Sequence, residues 1–243
     1  MLNAPVRGSG RLLAVALTLL ACSGAAAGLA PGATFCLHPL MLPFRTADDD
    51  PRRALIEQRL TAALVGASFK VVEPARVKLV RERELKASGG FIDTALGWRV
   101  PERYQAYRDR LGDALARELG CDAELLASVV QVRASFQYGT ATWDGASQQV
   151  SSTGRVVLQT IAGEVESGWV GAFSLWLRVV DLAGNDVAFR SAGIETLVHL
   201  AVLKSKDLLP EDRWLTDAAR LDAAIASALG PGGRHVLGHD GPE

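Results

Sequence analysis

Leu111–Phe136, LGDALARELG followed by CDAELLASVVQVRASF, holds the reading on which the fold turns. Up to Leu119 the apolar residues recur at helical spacing. Gly120 then stops the helix, because glycine enters the left-handed backbone that closes helix ends at little cost. From Leu125 to Val130 successive residues are mostly apolar, as in a strand covered on both faces. From Gln131 onward the pattern alternates. Val132, Ala134 and Phe136 point one way and Gln131, Arg133 and Ser135 the other, so one face there meets water. The stretch predicts a helix running into one long central strand.

Toward the amino terminus the pattern predicts strand–helix units. Thr34–Phe44 is a first strand whose length Pro39 and Pro43 limit. Asp48-Asp49-Asp50-Pro51 opens a helix, with acids at its positive end and proline in its first turn. Leu55, Ile56, Leu60, Ala63 and Leu64 form its apolar stripe, and Gly66 ends it. Phe69–Val72 is a short strand ended by Pro74. Val77–Ala87 is a solvated helix whose apolar positions are Leu79, Val80 and Leu85, its alternating charges a wet face. Ser88–Glu102 is a loop into a helix from Arg103 to Leu119, with Tyr104, Tyr107, Leu111, Ala114 and Leu115 on one face.

Beyond the central strand, Tyr138–Gly154 is polar and glycine-bearing and reads as a long loop, and Arg155–Ile161 as a strand. Phe173, Leu175, Leu177 and Val179 alternate along another, and Asp181–Asp186 (DLAGND) turns it into Val187–Glu195. Thr196–Leu203 is an apolar run of either type. Asp217–Leu229 is a closing helix with Leu221, Ala224, Ile225 and Ala228 inward, ended by Gly230-Pro231. Strand–helix units followed by consecutive strands predict an α+β fold, a mixed α/β sandwich, over residues 33–230 as one domain. Residues 231–243 are expected to be a disordered tail.

The amino terminus carries Arg7 and Arg11, then a ten-residue apolar run, Leu12–Ala21, too short to span a bilayer. This is the grammar of a secretory signal over residues 1–21. Leu19-Leu20-Ala21-Cys22 resembles a bacterial lipobox. The resemblance implies diacylglycerol on Cys22, cleavage before it and acylation of the new amine, with residues 22–32 as a lipidated tether. Cleavage after Ala27 in Ala25-Ala26-Ala27 is the alternative. Ser23 stands where an inner-membrane retention signal would place Asp, which by resemblance favours the outer membrane, facing the periplasm. With Cys22 lipidated, Cys36 and Cys121 are left as an even pair in an oxidising compartment. They read as a disulfide, with two buried free thiols as the alternative.

The net charge of -1, with both signs interspersed, offers no footprint for nucleic acid. The G-x-S-x-G elbow, H-E-x-x-H, paired C-x-x-C and the phosphate-cradling loop are all absent from the sequence. His38 and His199 read as satisfied, partly buried histidines. His235 and His239 have metal-like spacing but no rigid scaffold, so no metal site, cofactor or small-molecule substrate is assigned. Trp143 and Asp144 read as an exposed partner-binding feature, since a loop aromatic anchors a partner at low ordering cost. The alternative is that Trp143 folds back on the sheet edge. Trp169 and Trp176 read as core.

Leu40–Phe44 (LMLPF), Leu119–Val129 (LGCDAELLASV) and Leu177–Val187 (LRVVDLAGNDV) together resemble three strand-opening and turn motifs. They occur in the curli-secretion-channel lipoproteins, the lipoprotein activators of penicillin-binding proteins and the amino-terminal domain of the Tol translocation protein. Cys121 stands where those proteins usually carry Ala, and no pair of long membrane-hairpin segments is seen, so the resemblance does not extend to a pore. It implies a non-enzymatic envelope lipoprotein, held to the membrane by its lipid, that contacts a protein partner in envelope assembly or maintenance. The alternatives are an envelope hydrolase with an unrecognised site and a glycan-binding module using loop tryptophans.

Overall fold

Strand β3, Ala123–Gln137, is the axis of the molecule. The computed structural model describes residues 32–44, 49–93, 97–151, 167–199, 207–230 and 234–235. Along β3 burial follows the predicted pattern: Ala123, Glu124, Leu125, Ala127 and Val129 are buried, and then Ala134 and Phe136 alternate with exposed Gln131, Arg133, Ser135 and Gln137.

β1 (Thr34–Leu37) runs parallel to β3 on one side and pairs on its other edge, also in parallel, with β2 (Lys70–Val72). β6 (Ser167–Val180) lies antiparallel to β3 along its whole length, and β7 (Asp186–Thr196) follows through a tight hairpin. The far end of β3 pairs with β4 (Thr140–Trp143), and β4 with β5 (Ala146–Gln149). β8 (Val198–His199) and β9 (Asp207–Leu208) form a separate small ribbon.

Local chemistry sets the helices. In α1 (Pro51–Gly66) the Asp50 carboxylate caps the Arg52 N–H, and Pro51 needs no partner at the first position. Ile56, Leu60 and Leu64 are its buried stripe. α2 (Pro74–Ala87) buries Val77, Val80 and Glu84, whereas Leu79, read as an inward position, is 68% exposed. The inward face is set by the spacing of Val77, Val80 and Glu84, and Leu79 falls outside it. α3 (Pro101–Ala114) runs into a π-helical turn, Leu115–Leu119, and Gly120 ends it at φ 67°. α4 (Ala218–Leu229), capped by Asp217, buries the four residues read as inward.

The helices sandwich the sheet. On one face, α1 and α4 pack Ile56, Leu60, Leu221 and Ile225 against Phe35, Leu37, Leu125, Val129 and Phe173. On the other, α2 and α3 cover the β2–β1–β3 side, where Val77, Tyr107, Leu111 and Leu115 surround Cys36 and Cys121. Those two cysteines are bonded, with Cα atoms 5.6 Å apart. At the far end the β4–β5 strands close a third cluster around Ala134, Phe136, Trp143 and Val170.

Several expectations are corrected. β1 stops at Leu37 because Pro39 offers no N–H to the ladder, and the strand resumes only as a bridge from Met41 to Ser128. The stretch read as a loop from Tyr138 contains the β4–β5 hairpin. Two residues of the expected tail, Arg234–His235, pair as β10 with β7 at Ser191 and Arg190. Trp169, read as core, is 64% exposed, because its strand has already passed the end of the helical cover. His199 is exposed rather than partly buried. The strand expected at Arg155–Ile161, the signal with Cys22, and His239 lie outside the described residues.

Candidate functional site

The parallel pairing of β1 with β3 sets Phe35 beside Ala123 and Cys36 beside Glu124. Alternation along β3 turns Leu125 toward α1 and α4 and Glu124 toward α3. A fully buried carboxylate needs partners, and two arrive. His38, at the end of β1, places Nε2 2.7 Å from Glu124 Oε2. Arg108, on α3, donates to both carboxylate oxygens. Burial by itself would push the Glu124 carboxyl up, but the hydrogen bonds from His38 and Arg108 outweigh it and hold it below the ordinary range. Burial likewise opposes the charge on Arg108, and its hydrogen bond to Glu124 together with the attraction of the Glu124 charge more than offsets this.

The DLAGND turn closes over this cluster. Gly184 is required there, since its φ is 96° and a Cβ would lie 3.0 Å from Arg108 Nε. Gly112 on α3 is required for a second reason: a Cβ would lie 2.0 Å from the Leu182 carbonyl oxygen. His38, Glu124 and Arg108 thus lock β1, β3 and α3 together, with both carboxylate oxygens engaged. The sequence marks His38 as a satisfied, partly buried histidine, whereas Glu124 and Arg108 are not singled out there. Their one signal is a lone acid among the apolar residues of a central strand.

The second feature is the β4–β5 hairpin, which carries Trp143 and Asp144. Its two tight turns use left-handed backbone at Tyr138 (φ 50°) with Gly139 (78°), and at Asp144 (38°) with Gly145 (76°). Tyr-Gly and Asp-Gly in this spacing are the sequence signal for a two-residue hairpin, one that the polar composition of the stretch masks. The Trp143 side chain is buried, and its indole N–H donates to the Phe173 carbonyl at 3.0 Å. That carbonyl sits where the β6–β7 ladder shifts register. Gly193 makes room for it, since a Cβ there would be 2.5 Å from Trp143 Nε1. Asp144 Oδ2 accepts from the Ser174 hydroxyl at 2.6 Å, and its carbonyl accepts from Gly193 N at 3.1 Å. Trp143 is therefore a wedge between hairpin and sheet and not an exposed anchor.

Around this wedge lies a groove of about 520 Å³ between the hairpin and α4, with Ser147 and Gln149 on one wall and Arg220 and Ser227 on the other. Beyond it, at the end of the β3–β6 ladder, Tyr138 and Trp169 are both 64% exposed. The strand separating them from the chain's entry at Thr34 is β3, whose 15 residues span roughly 45–50 Å. Asp122, at its start, accepts the Thr34 N–H. The aromatic end thus faces away from the end where residues 32–34 enter. Among the described residues no group of three His, Cys, Asp or Glu is placed to hold a metal, and no helix is long and apolar enough to cross a membrane.

These features define an open mixed-sheet α/β protein with a saturated polar lock at one end and exposed aromatics at the other. No protein-family model matches the chain. A stretch of 127 residues is 32% identical to the CMP-5'-(3-aminopropyl)phosphonate hydroxylase of Streptomyces rubellomurinus, covering 52% of this chain. The chain spans about a quarter of that relative, 25% of its length. Among solved structures it is similar to lipoprotein GNA1162 from Neisseria meningitidis, with a TM-score of 0.32 and 19% identity over 68% of this chain and 83% of that one. It is similar also to the PelC dodecamer from Paraburkholderia phytofirmans, with a TM-score of 0.32 and 11% identity over 84% and 89%.

Proposed function

We propose that the chain is a bacterial envelope lipoprotein, anchored through lipid on Cys22 and facing the periplasm, that acts by contact with a protein partner in envelope assembly or maintenance and carries out no reaction. The observation that carries this reading is the division of side chains between interior and surface. Among the described residues Glu124 is the most buried carboxylate, and Arg108 and His38 engage both its oxygens. Tyr138 and Trp169 stand exposed together near the end of one ladder, where large aromatics serve as contact anchors. The oxidising compartment that this reading requires agrees with the Cys36–Cys121 bond.

The test combines anchoring with contact. Cells fed labelled fatty acid should label the wild-type protein and not Cys22→Ser. A photocrosslinking residue at Tyr138 or Trp169 should capture one and the same envelope protein, while the same residue at exposed Val65 on α1 should not. Loss of function in a well-folded His199→Ala variant, with Tyr138→Ala and Trp169→Ala neutral, would turn the reading toward an enzyme.

A further inference from the structure

Between β9 and α4 the chain lays a short segment, Leu209–Thr216, against the core that α1 and α4 share with the sheet. The Trp214 ring meets Phe173 and Phe44 at centroid distances of 5.5 and 5.8 Å. Leu215 is fully buried in the same core. The Leu209 N–H donates to the Leu197 carbonyl at 2.8 Å, and the Trp214 indole N–H to the Leu209 carbonyl at 2.8 Å. From α1, Arg52 donates to the Glu211 carbonyl at 3.1 Å.

The segment is strained where it is most deeply buried. Leu215 holds a φ of 58°, a left-handed backbone in which the leucine Cβ crowds the following carbonyl. Strained residues persist where their surroundings over-determine them, and they gather at switching segments. Leu215 is held by the burial of its side chain and by its N–H, which donates to Glu195 Oε1 at 2.5 Å.

Glu195 is 4% exposed on β7, beside Phe173 of β6. Both the acid and its anion offer an oxygen to the Leu215 N–H, so the two forms differ in what burial costs them. The charged groups that face the carboxyl are Asp217, which repels the anion, and Arg220, which attracts it; both lie at the start of α4, 3.1 Å from each other. Arg52 on α1 is turned to Asp50 and to the Glu211 carbonyl, and Phe173 and Leu215 bring no charge. Burial outweighs the Leu215 N–H and Arg220 together and pushes the carboxyl up. Lifting the segment would return the carboxylate to water, so the anion favours an open form.

We infer that Leu209–Thr216 is a pH-controlled latch: Glu195 with its proton holds the segment closed over Phe44 and Phe173, and loss of that proton loosens it and bares both rings. The closed form is fully favoured below about pH 4, where the carboxyl is protonated even in water. That advantage is lost as pH rises through the value the carboxyl has under the closed segment.

The experiment follows amide exchange of the full-length protein in detergent from about pH 5 to about pH 8, each rate divided by that of an unstructured peptide at the same pH. Opening at Leu209 and Leu215 should rise by up to about tenfold per pH unit, then level off once the closed-form carboxyl has ionised. Leu125 on β3 and Leu175 on β6 should not follow. Hydroxyl-radical footprinting should mark Phe44, Phe173 and Trp214 more heavily at the upper pH. Glu195→Gln keeps an oxygen for Leu215 and cannot ionise, so its segment should stay closed across the range with no slope.

A segment whose opening is flat with pH in the wild type would overturn the latch. So would an equal slope in Glu195→Gln, or the same slope at Leu125 and Leu175, which would make the event global. Should Glu195→Gln not fold, the wild-type slope, its confinement to the segment and the footprint decide alone.

Discussion

A carboxylate taken out of water is kept ionised only by charged or N–H partners, and two of the buried glutamates, Glu124 and Glu195, differ in what they find. Glu124 has Arg108 and His38, and its folded value lies below the ordinary one. The unfolded chain therefore takes up the proton more readily. The stabilisation is complete above about pH 5 and is lost as pH falls through the folded value. Glu195, on β7, has one close backbone partner, the Leu215 N–H at 2.5 Å, and burial pushes its carboxyl up. Its contribution runs the other way, complete below about pH 4 and lost as pH rises through the folded value. Glu124→Ala, which leaves Arg108 buried without its partner, is expected to cost about 3–5 kcal/mol at neutral pH. Glu195→Gln keeps an oxygen for Leu215 and removes the buried charge, so it should hold or raise neutral stability. Urea unfolding at pH 4, 5.5 and 7 checks both, and a Glu124→Ala protein as stable as wild type would refute the lock.

At the scale of the element, the hairpin depends on Trp143 as a packed side chain. Trp143→Ala should lower stability by about 3–5 kcal/mol, whereas Trp143→Phe, which keeps the ring and loses the bond to Phe173, should cost about 1 kcal/mol. Both are read as shifts in thermal unfolding. A Trp143→Ala variant that melts like wild type yet fails to capture a partner would restore the exposed-anchor reading. Gly193→Ala probes the same contact from the other side. Its methyl group would meet Trp143 and Ala146, and the expected outcome is a destabilised hairpin with fast amide exchange in β4 and β5.

Across the whole molecule the covalent constraint is the Cys36–Cys121 bond, which joins positions 85 residues apart. The loop includes α1, β2, α2 and α3, so the bond ties the strand–helix half to the start of β3. In the chain-entropy model a loop of this size is worth about 4–5 kcal/mol at most. Unfolding in reductant should show a loss of up to that size, and Cys36→Ala/Cys121→Ala should match reduced wild type. If reductant leaves the midpoint unmoved, the bond is not present in solution or does not limit the unfolded chain.

Local rules carried the sequence reading where burial and backbone agree with them. The covered-then-alternating pattern of β3, the Asp50-Pro51 helix start, the Gly120 stop, the DLAGND turn and the inward stripe of α4 are each decided within a few residues by periodicity, capping or left-handed backbone. The α/β class followed from their order. Long-range packing decided the rest. Arg108 and Glu124 are 16 residues apart and meet only because α3 folds back over β3. The hairpin was hidden because serine, glutamine and glycine suit a polar loop and an edge strand equally, and Trp143 was buried by Gly193, 50 positions away in the chain. Trp169 and Leu79 were misplaced for the matching reason: an apolar side chain goes inward only where another element arrives to cover it, and no single stretch of sequence records which faces the other elements leave open.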